Sequence, residues 1–576
     1  MIYNKLHNNP RLFFLLLLIT FLLAGLSNCH RSTVPDGDGS PSDRQEEGLI
    51  PADPTEFDAD ELVFETLFQP LDANGYYQMQ CVSVMDEDTF CKEFLLIPDD
   101  VQEKSFAFTL FDVTDPKQSI VSPEPVTGVV KARKMVITAG GQEMVLKKIV
   151  LSQTEAGLSG SFTIDKRKYD FTLVRHEQPG YRIFENRYRR ASHPCSILKN
   201  VEYGEAMGYW TSNVTSNQGY IEIFAKGVSS SVKRKNLKLL MDIYLPDNDT
   251  LSSRPLIVFL HGGAFYIGDK ADYPITLWCK HFAACGYVVA SVNYRMGFQL
   301  SKAAIERCGY SAVQDAHAAV RYLLSKKEEY RINPDYVFVA GTSAGAITSL
   351  NLAFMTNGTR PAASRKHGTY SDLGDIETSG NTLEQVFHVR AVANMWGAVS
   401  DLGLLSSSRT AIISFHGDAD RLVPYDTGIP FSDMKVKIGG LFFSTMYGSA
   451  AIHRQAQKLG YRSELYTFEG AGHAPHVDNE NMPTQEFYFI QSHIRDFFFK
   501  EFVPSGAGIR RVPGEPQWFR VDGEGITKVF WKVDGGFILE TQGNRARVVL
   551  VGGLPHKLRA SALWGNGASE VFSIDL

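Results

Sequence analysis

The run Tyr336-Val337-Phe338-Val339-Ala340 is apolar throughout and stops at Gly341-Thr342-Ser343-Ala344-Gly345. No other junction constrains the fold of this chain as tightly. A short apolar run of this kind reads as a strand buried on both faces. G-x-S-x-G at its end reads as a sharp strand-to-helix turn that lifts a serine Oγ clear of the backbone. Glycine is required at 341 and 345 because a Cβ at either position would collide with the neighbouring strand or helix. The helix expected from Ala346 to Met355 would then aim free N–H groups at negative charge developing beside the serine. Alone, the pentapeptide is common enough to be an ordinary turn, so its neighbours decide.

Upstream, Pro255 to Leu260 is a second strand-like run, ending in His261-Gly262-Gly263-Ala264-Phe265. A glycine pair there can turn backbone N–H groups towards one point. Gly262 and Gly263, with Ala344, are therefore a candidate oxyanion hole; a plain glycine turn is the alternative. Downstream, Ala411 to Phe415 leads into His416-Gly417-Asp418-Ala419-Asp420, and Ser463 to Phe468 leads into Glu469-Gly470-Ala471-Gly472-His473-Ala474-Pro475-His476. Each useful group follows a strand, in the order oxyanion loop, serine, carboxylate, histidine. Other common serine triads run in different chain orders.

With these stretches in hand, residues from about 200 to 500 resemble a carboxylesterase-type α/β-hydrolase of the branch with an HGG oxyanion loop. Met241 to Pro246 and Ser291 to Arg295 add to the match. The resemblance implies an α/β-hydrolase fold with a mostly parallel sheet, and hydrolysis of carboxylic esters without a metal or organic cofactor. By position it makes Ser343 the nucleophile, His473 the general base and then acid, and Asp420 the group that orients His473. Asp418 and Asp401 are competing carboxylates. His476 reads as a surface or supporting residue, and His261 and His416 as packed histidines that shape their loops. Phe265, Tyr266 and Trp396 line a pocket or belong to the core. Asp315 and Arg321, on a helix expected from Ala312 to Leu324, and Tyr294 and Arg295, at the end of a strand, read as structural ties. The stretch 439–447 is a substrate-facing cap or a loop packed on the next helix. A peptidase of the same fold and a non-catalytic binding lipoprotein remain as alternatives.

The N-terminus speaks to location. Lys5 and Arg11 flank the start of an apolar run from Leu12 to Leu26. At about 15 residues it is short for a membrane span and suits a secretory signal. It ends in Leu26-Ser27-Asn28-Cys29, which resembles a bacterial lipobox, so Cys29 is the expected lipidation site and the protein an exported, membrane-anchored lipoprotein on a periplasmic or outer-membrane face. A plain cleaved signal, giving a secreted protein, and an uncleaved anchor are the alternatives. The expected organisation is a signal peptide at 1–28, a flexible tether at 29–58, an all-β domain at 59–178, the catalytic domain at 195–502 and a small immunoglobulin-like β module at 506–576.

Of the seven cysteines, Cys81 and Cys91 flank a turn-like stretch and form a candidate disulfide. No cysteine or histidine spacing suggests a metal site. With a net charge of −6 and no basic stripe or recognition motif, nothing points to nucleic acid as a partner. The expected partner is a small-molecule or glycan-borne ester, with the membrane held through the lipid. Sequence leaves the oligomeric state open.

Overall fold

The computed structural model describes residues 55–57, 75–85, 88–131, 134–154, 157–164, 167–184, 187–214, 233–366, 368–431 and 443–576. The signal segment, Cys29 and the tether up to residue 54 lie outside them. The chain divides into two compact units.

The catalytic unit comprises Glu185–Ser505 with Trp564–Ser569. Its eight strands are β1 (Cys195–Gly208), β2 (Lys235–Pro246), β3 (Arg254–Leu260), β4 (Val288–Val292), β5 (Ile332–Thr342), β6 (Val389–Met395), β7 (Ala411–Gly417) and β8 (Ser463–Phe468), in the sheet order β1-β2-β4-β3-β5-β6-β7-β8. β1, β2 and β4 pair antiparallel, and from β4 onward all pairs are parallel. This is the α/β-hydrolase strand order. Helices α1 (Tyr273–Ala284), α2 (Lys302–Ser325), α3 (Ala344–Phe354), α4 (Ser449–Lys458) and α5 (Gln485–Phe499) accompany it.

The apolar runs seen in the sequence become central strands because helices cover both sheet faces. All seven residues of β3 are buried, as are all seven of β7. One face packs Leu256, Val258, Val337 and Val339 with Ala312, Ala316 and Leu350; the other packs Ile257, Phe259, Phe338 and Ile413 with Trp278, Phe282 and Phe498. Helix α2 begins ten residues before the expected Ala312. Ser301 caps it by accepting from the Ala304 N–H at 3.1 Å. The expected structural ties are present: Arg295 forks onto Asp315 at 2.7 and 2.9 Å, and Arg321 donates to Asn381 and to the Ser379 carbonyl.

The second unit joins the described residues up to Phe184 with Gly506–Leu563 and Glu570–Leu576. Sequence reading separated an N-terminal from a C-terminal β domain; by contacts they are one unit. Strands Gly75–Met85, Asp88–Gln102, Ser105–Asp112, Glu124–Lys131, Lys134–Ala139, Gln142–Thr154, Gly157–Ile164 and Arg167–Glu177 pair antiparallel in succession, and the last returns to the first. That closes an eight-stranded ring, a barrel rather than a sandwich, and closure removes the edges an open sheet would expose.

Two features bind the C-terminal segment to this barrel. Ile120-Val121 pairs in parallel with Leu550-Val551 of the C-terminal sheet. Tyr76, Leu95, Phe111 and Val121 share a buried cluster with Leu539, Val549 and Val551. In the first hairpin Cys81 lies opposite Lys92, and Cys91 opposite Val82. Directly opposite residues share a face and adjacent residues alternate, so the backbone register does not set the two cysteines against each other. In the catalytic unit Cys195, Cys279, Cys285 and Cys308 are free thiols.

Candidate active site

The serine turn sits where β5 stops. Ser343 holds φ 52° and ψ −117°, a strained conformation for a residue with a side chain. Both glycines are sterically necessary. A Cβ on Gly341 would come 2.3 Å from the Gly345 carbonyl oxygen, and one on Gly345 would come 2.0 Å from that of Leu260. α3 therefore begins pressed against the end of β3. Its first residue, Ala344, has an N–H with no acceptor inside the helix.

The loop after β3 lies beside the serine. A Cβ on Gly262 would stand 3.3 Å from the Ser343 Cβ, and Gly263 takes φ 110°. Ala264 and Phe265 also have positive φ, at 52° and 60°. This non-helical path brings Gly262, Gly263 and Ala344 to the wall of the same cavity as Ser343 and His473. The loop is held from behind. His261 is fully buried and stacks on Tyr294 with ring centroids 4.5 Å apart, and the Tyr294 hydroxyl donates to the His261 carbonyl at 2.7 Å. His261 thus packs behind the oxyanion loop.

His473 completes the line. Its Nδ1 lies 2.7 Å from Asp420 Oδ2, and its Nε2 lies 2.9 Å from Ser343 Oγ. A carboxylate can only accept, so Asp420 selects the tautomer with the proton on Nδ1 and leaves Nε2 free to take the serine proton. Asp420 Oδ1 accepts the Leu422 and Val423 N–H groups at 2.8 and 3.1 Å. Burial alone would raise its carboxyl; hydrogen bonds from His416 and His473 outweigh that and hold it well below the usual carboxylate range.

The competing carboxylates are engaged elsewhere. Asp418 accepts the Gly470 N–H at 2.6 Å, and Asp401 caps a short helical turn through the Gly403 N–H at 2.8 Å. Phe265 and Trp396 border the cavity, whereas Tyr266 is 1% exposed and packs with Phe298. His476 is buried, stacked against Trp278 and Trp396, and borders the cavity. Burial pushes its imidazole down to about 4, so it is neutral beside His473. Residues 439–442 lie outside the described residues; Phe443, Ser444 and Met446 line the cavity.

His416 does more than shape a loop. Its Nε2 lies 3.1 Å from Asp420 Oδ2, so the carboxylate takes two imidazoles. Its Nδ1 accepts from Ser449 Oγ at 2.8 Å, and Ser449 in turn accepts from Asn394 Nδ2 at 3.0 Å. A buried chain of hydrogen bonds thus runs from Asn394 to Ser343. The four-residue spacing of His416 and Asp420 around Gly417 was the available signal; the partner Ser449 lies 33 residues further on. Among the described residues no cluster of histidine, cysteine or carboxylate side chains could hold a metal.

The cavity measures about 880 Å³. A serine with a tautomer-fixed histidine, beside backbone N–H groups at a helix start, can attack a carbonyl carbon and receive the charge that moves to its oxygen.

Comparison with known proteins agrees with this chemistry. Residues 241–410 match the BD-FAE family. Gut esterase 1 of Caenorhabditis elegans is 30% identical over 113 residues, which is 19% of this chain and 20% of that protein. Para-nitrobenzyl esterase of Bacillus subtilis is 30% identical over 121 residues, 20% of this chain and 24% of that one. Part of the chain is thus similar to carboxylesterases. Carboxylesterase 1C of Rattus norvegicus is 25% identical to it over 256 residues, 44% of the chain and 42% of that protein. The chain thus spans less than half the length of each of these relatives. Among solved structures, esterase 2 of Thermogutta terrifontis phosphorylated by paraoxon aligns with 46% of the chain and 89% of its own, at 21% identity and a TM-score of 0.31.

Proposed function

We propose that the catalytic unit is a serine carboxylic ester hydrolase working through Ser343, His473 and Asp420. The observation that carries this reading is the unbroken line Asp420–His473–Ser343, at 2.7 and 2.9 Å, opening onto a cavity bordered by Gly262, Gly263 and Ala344. Ser343 Oγ attacks the ester carbonyl carbon as His473 Nε2 takes its proton. The carbonyl electron pair moves to oxygen, where the N–H groups of Gly262, Gly263 and Ala344 receive it. Collapse expels the alcohol, protonated by His473. Water, deprotonated by His473, then releases the acid and restores Ser343.

A cavity of about 880 Å³ far exceeds an acetyl group, which favours an ester with one bulky part, such as an acylated glycan. The lipobox-like Leu26-Ser27-Asn28-Cys29 supports action outside the cytoplasm from a lipid anchor on Cys29.

The test is initial rates on p-nitrophenyl esters from acetate to long chains, with Ser343→Ala alongside, and fluorophosphonate labelling of both. Turnover and labelling present only with Ser343 are expected. Full activity in the variant sinks the assignment. Cys29→Ser should move the protein from the membrane fraction to the soluble one; an unchanged distribution removes the anchor.

A further inference from the structure

Helix α2 forms a wall of two cavities. Lys302, Ile305, Gly309 and Val313 face the catalytic one. Arg307, Cys308 and Ser311 face a second, of about 140 Å³, whose other walls include Tyr209, Arg234, Arg295 and Tyr370. Three arginines line this small space, and their partners differ.

Arg295 is neutralised by its fork onto Asp315. Arg307 is not neutralised, although it is only 7% exposed. Its two terminal nitrogens donate to the carbonyls of Ala363 and Ser371, each at 2.7 Å, one of them also to the Arg365 carbonyl at 3.4 Å, and the Tyr370 ring lies 4.9 Å from its centre. All of these are neutral. Arg234 is exposed and donates to the Met207 carbonyl at 2.6 Å. Among the described residues neither arginine is in an ion pair with a carboxylate. Asp372, whose charge reaches Arg307, is itself bound to Arg360 at 3.0 Å.

A buried cation without a counter-charge is costly, and a second cation facing it adds to the cost. Burial, and then the charge of Arg234, push the Arg307 guanidinium down. The carbonyls fix where Arg307 points without cancelling its charge, and among the described residues its Nε has no acceptor. A preset guanidinium with free donors beside a second one suits a ligand with two or more anionic oxygens.

We propose that this cavity is a binding site for a small oxyanion, a carboxylate, sulfate or phosphate group, held between Arg307 and Arg234. The site is separate from the serine chemistry and does not depend on the esterase reading. An anion there would remove the repulsion between the two arginines and brace the Ala363 and Ser371 turns against α2.

The experiment is isothermal titration of the protein at constant ionic strength with inorganic phosphate, sulfate and glucuronate. Saturable one-site binding of at least one is expected, weakened about tenfold or more in Arg234→Gln. That substitution is at an exposed position and removes the charge that repels Arg307, so its thermal midpoint without anion should not fall below the parent's. Arg307→Lys keeps the charge and loses the fork, and should also weaken binding. Preference for glucuronate would name an acidic glycan, and preference for phosphate or sulfate a phosphorylated or sulfated ligand. No saturable binding of any of the three, or an affinity unchanged in both variants, overturns the proposal.

Discussion

At the serine end of the active site the constraint is steric. Gly341 and Gly345 lie so close to neighbouring backbone that there is no room for a side chain, Gly262 sits tightly against Thr342 and Ser343, and Ser343 is held at positive φ between β5 and α3. At the acid end the constraint is hydrogen bonding. Asp420 is positioned by two backbone N–H groups and two histidines, and one of those histidines is positioned by Ser449 and, through it, Asn394. The difference teaches what each end should tolerate. A packed backbone contact fails sharply when one carbon is added. Behind Asp420, which fixes the tautomer of His473, the chain of hydrogen bonds should lose function in steps, each about the worth of one bond.

The largest test of that contrast is Ser343→Ala, which should lower kcat by about 10⁴-fold or more with the thermal midpoint nearly unchanged. Retained turnover would remove the serine end from the chemistry altogether. Asp420→Asn should cost about 10⁴-fold in kcat through the wrong histidine tautomer, with KM little altered. The same variant carries a pH signature. Asp420 is held ionised in the folded state, so the unfolded chain binds its proton more readily. The stability it contributes is full above about pH 4 and drains as the pH falls towards its folded value. Acid unfolding followed by circular dichroism should be less steep in Asp420→Asn; an identical curve would contradict the depressed carboxyl.

Gly345→Ala probes the steric end. Its Cβ must push against the Leu260 carbonyl, so urea unfolding should show a loss of about 1–3 kcal/mol. A neutral result would mean that α3 slides freely on β3. His416→Gln should reduce kcat roughly tenfold, the worth of one charge-assisted hydrogen bond. Ser449→Ala should cost less, and the double variant should fall short of the product of the singles, because both act on one chain. Full additivity in kcat would break the link between Ser449 and Asp420.

Particular residues show how much of this was readable beforehand. The turn at 341–345 was legible because everything it needs is local: an apolar strand, two glycines and a helix start. The strands of the β unit were largely legible as alternating runs, yet their closure into a ring was not, since pairing of Gly75–Met85 with Arg167–Glu177 leaves no local mark. The parallel pairing of Ile120-Val121 with Leu550-Val551 was hidden for the same reason, and with it the grouping of two separately drawn domains. Helix α2 was shortened in the reading because Lys302, Glu306 and Arg307 interrupt its apolar pattern, whereas two cavities and a loop take up those polar side chains.

Sequence alone determined which groups the candidate site brings together and their order along the chain, because each of these residues follows its own apolar strand and parallel strands deliver their following loops to one end of the sheet. Tertiary structure decided which of three carboxylates meets His473, that His416 shares it, that Cys81 and Cys91 fall one register apart, and that Arg307 is buried without a counter-charge among the described residues. Those outcomes depend on strand register and on contacts dozens of residues apart. Local spacing does not encode such distances; packing sets them.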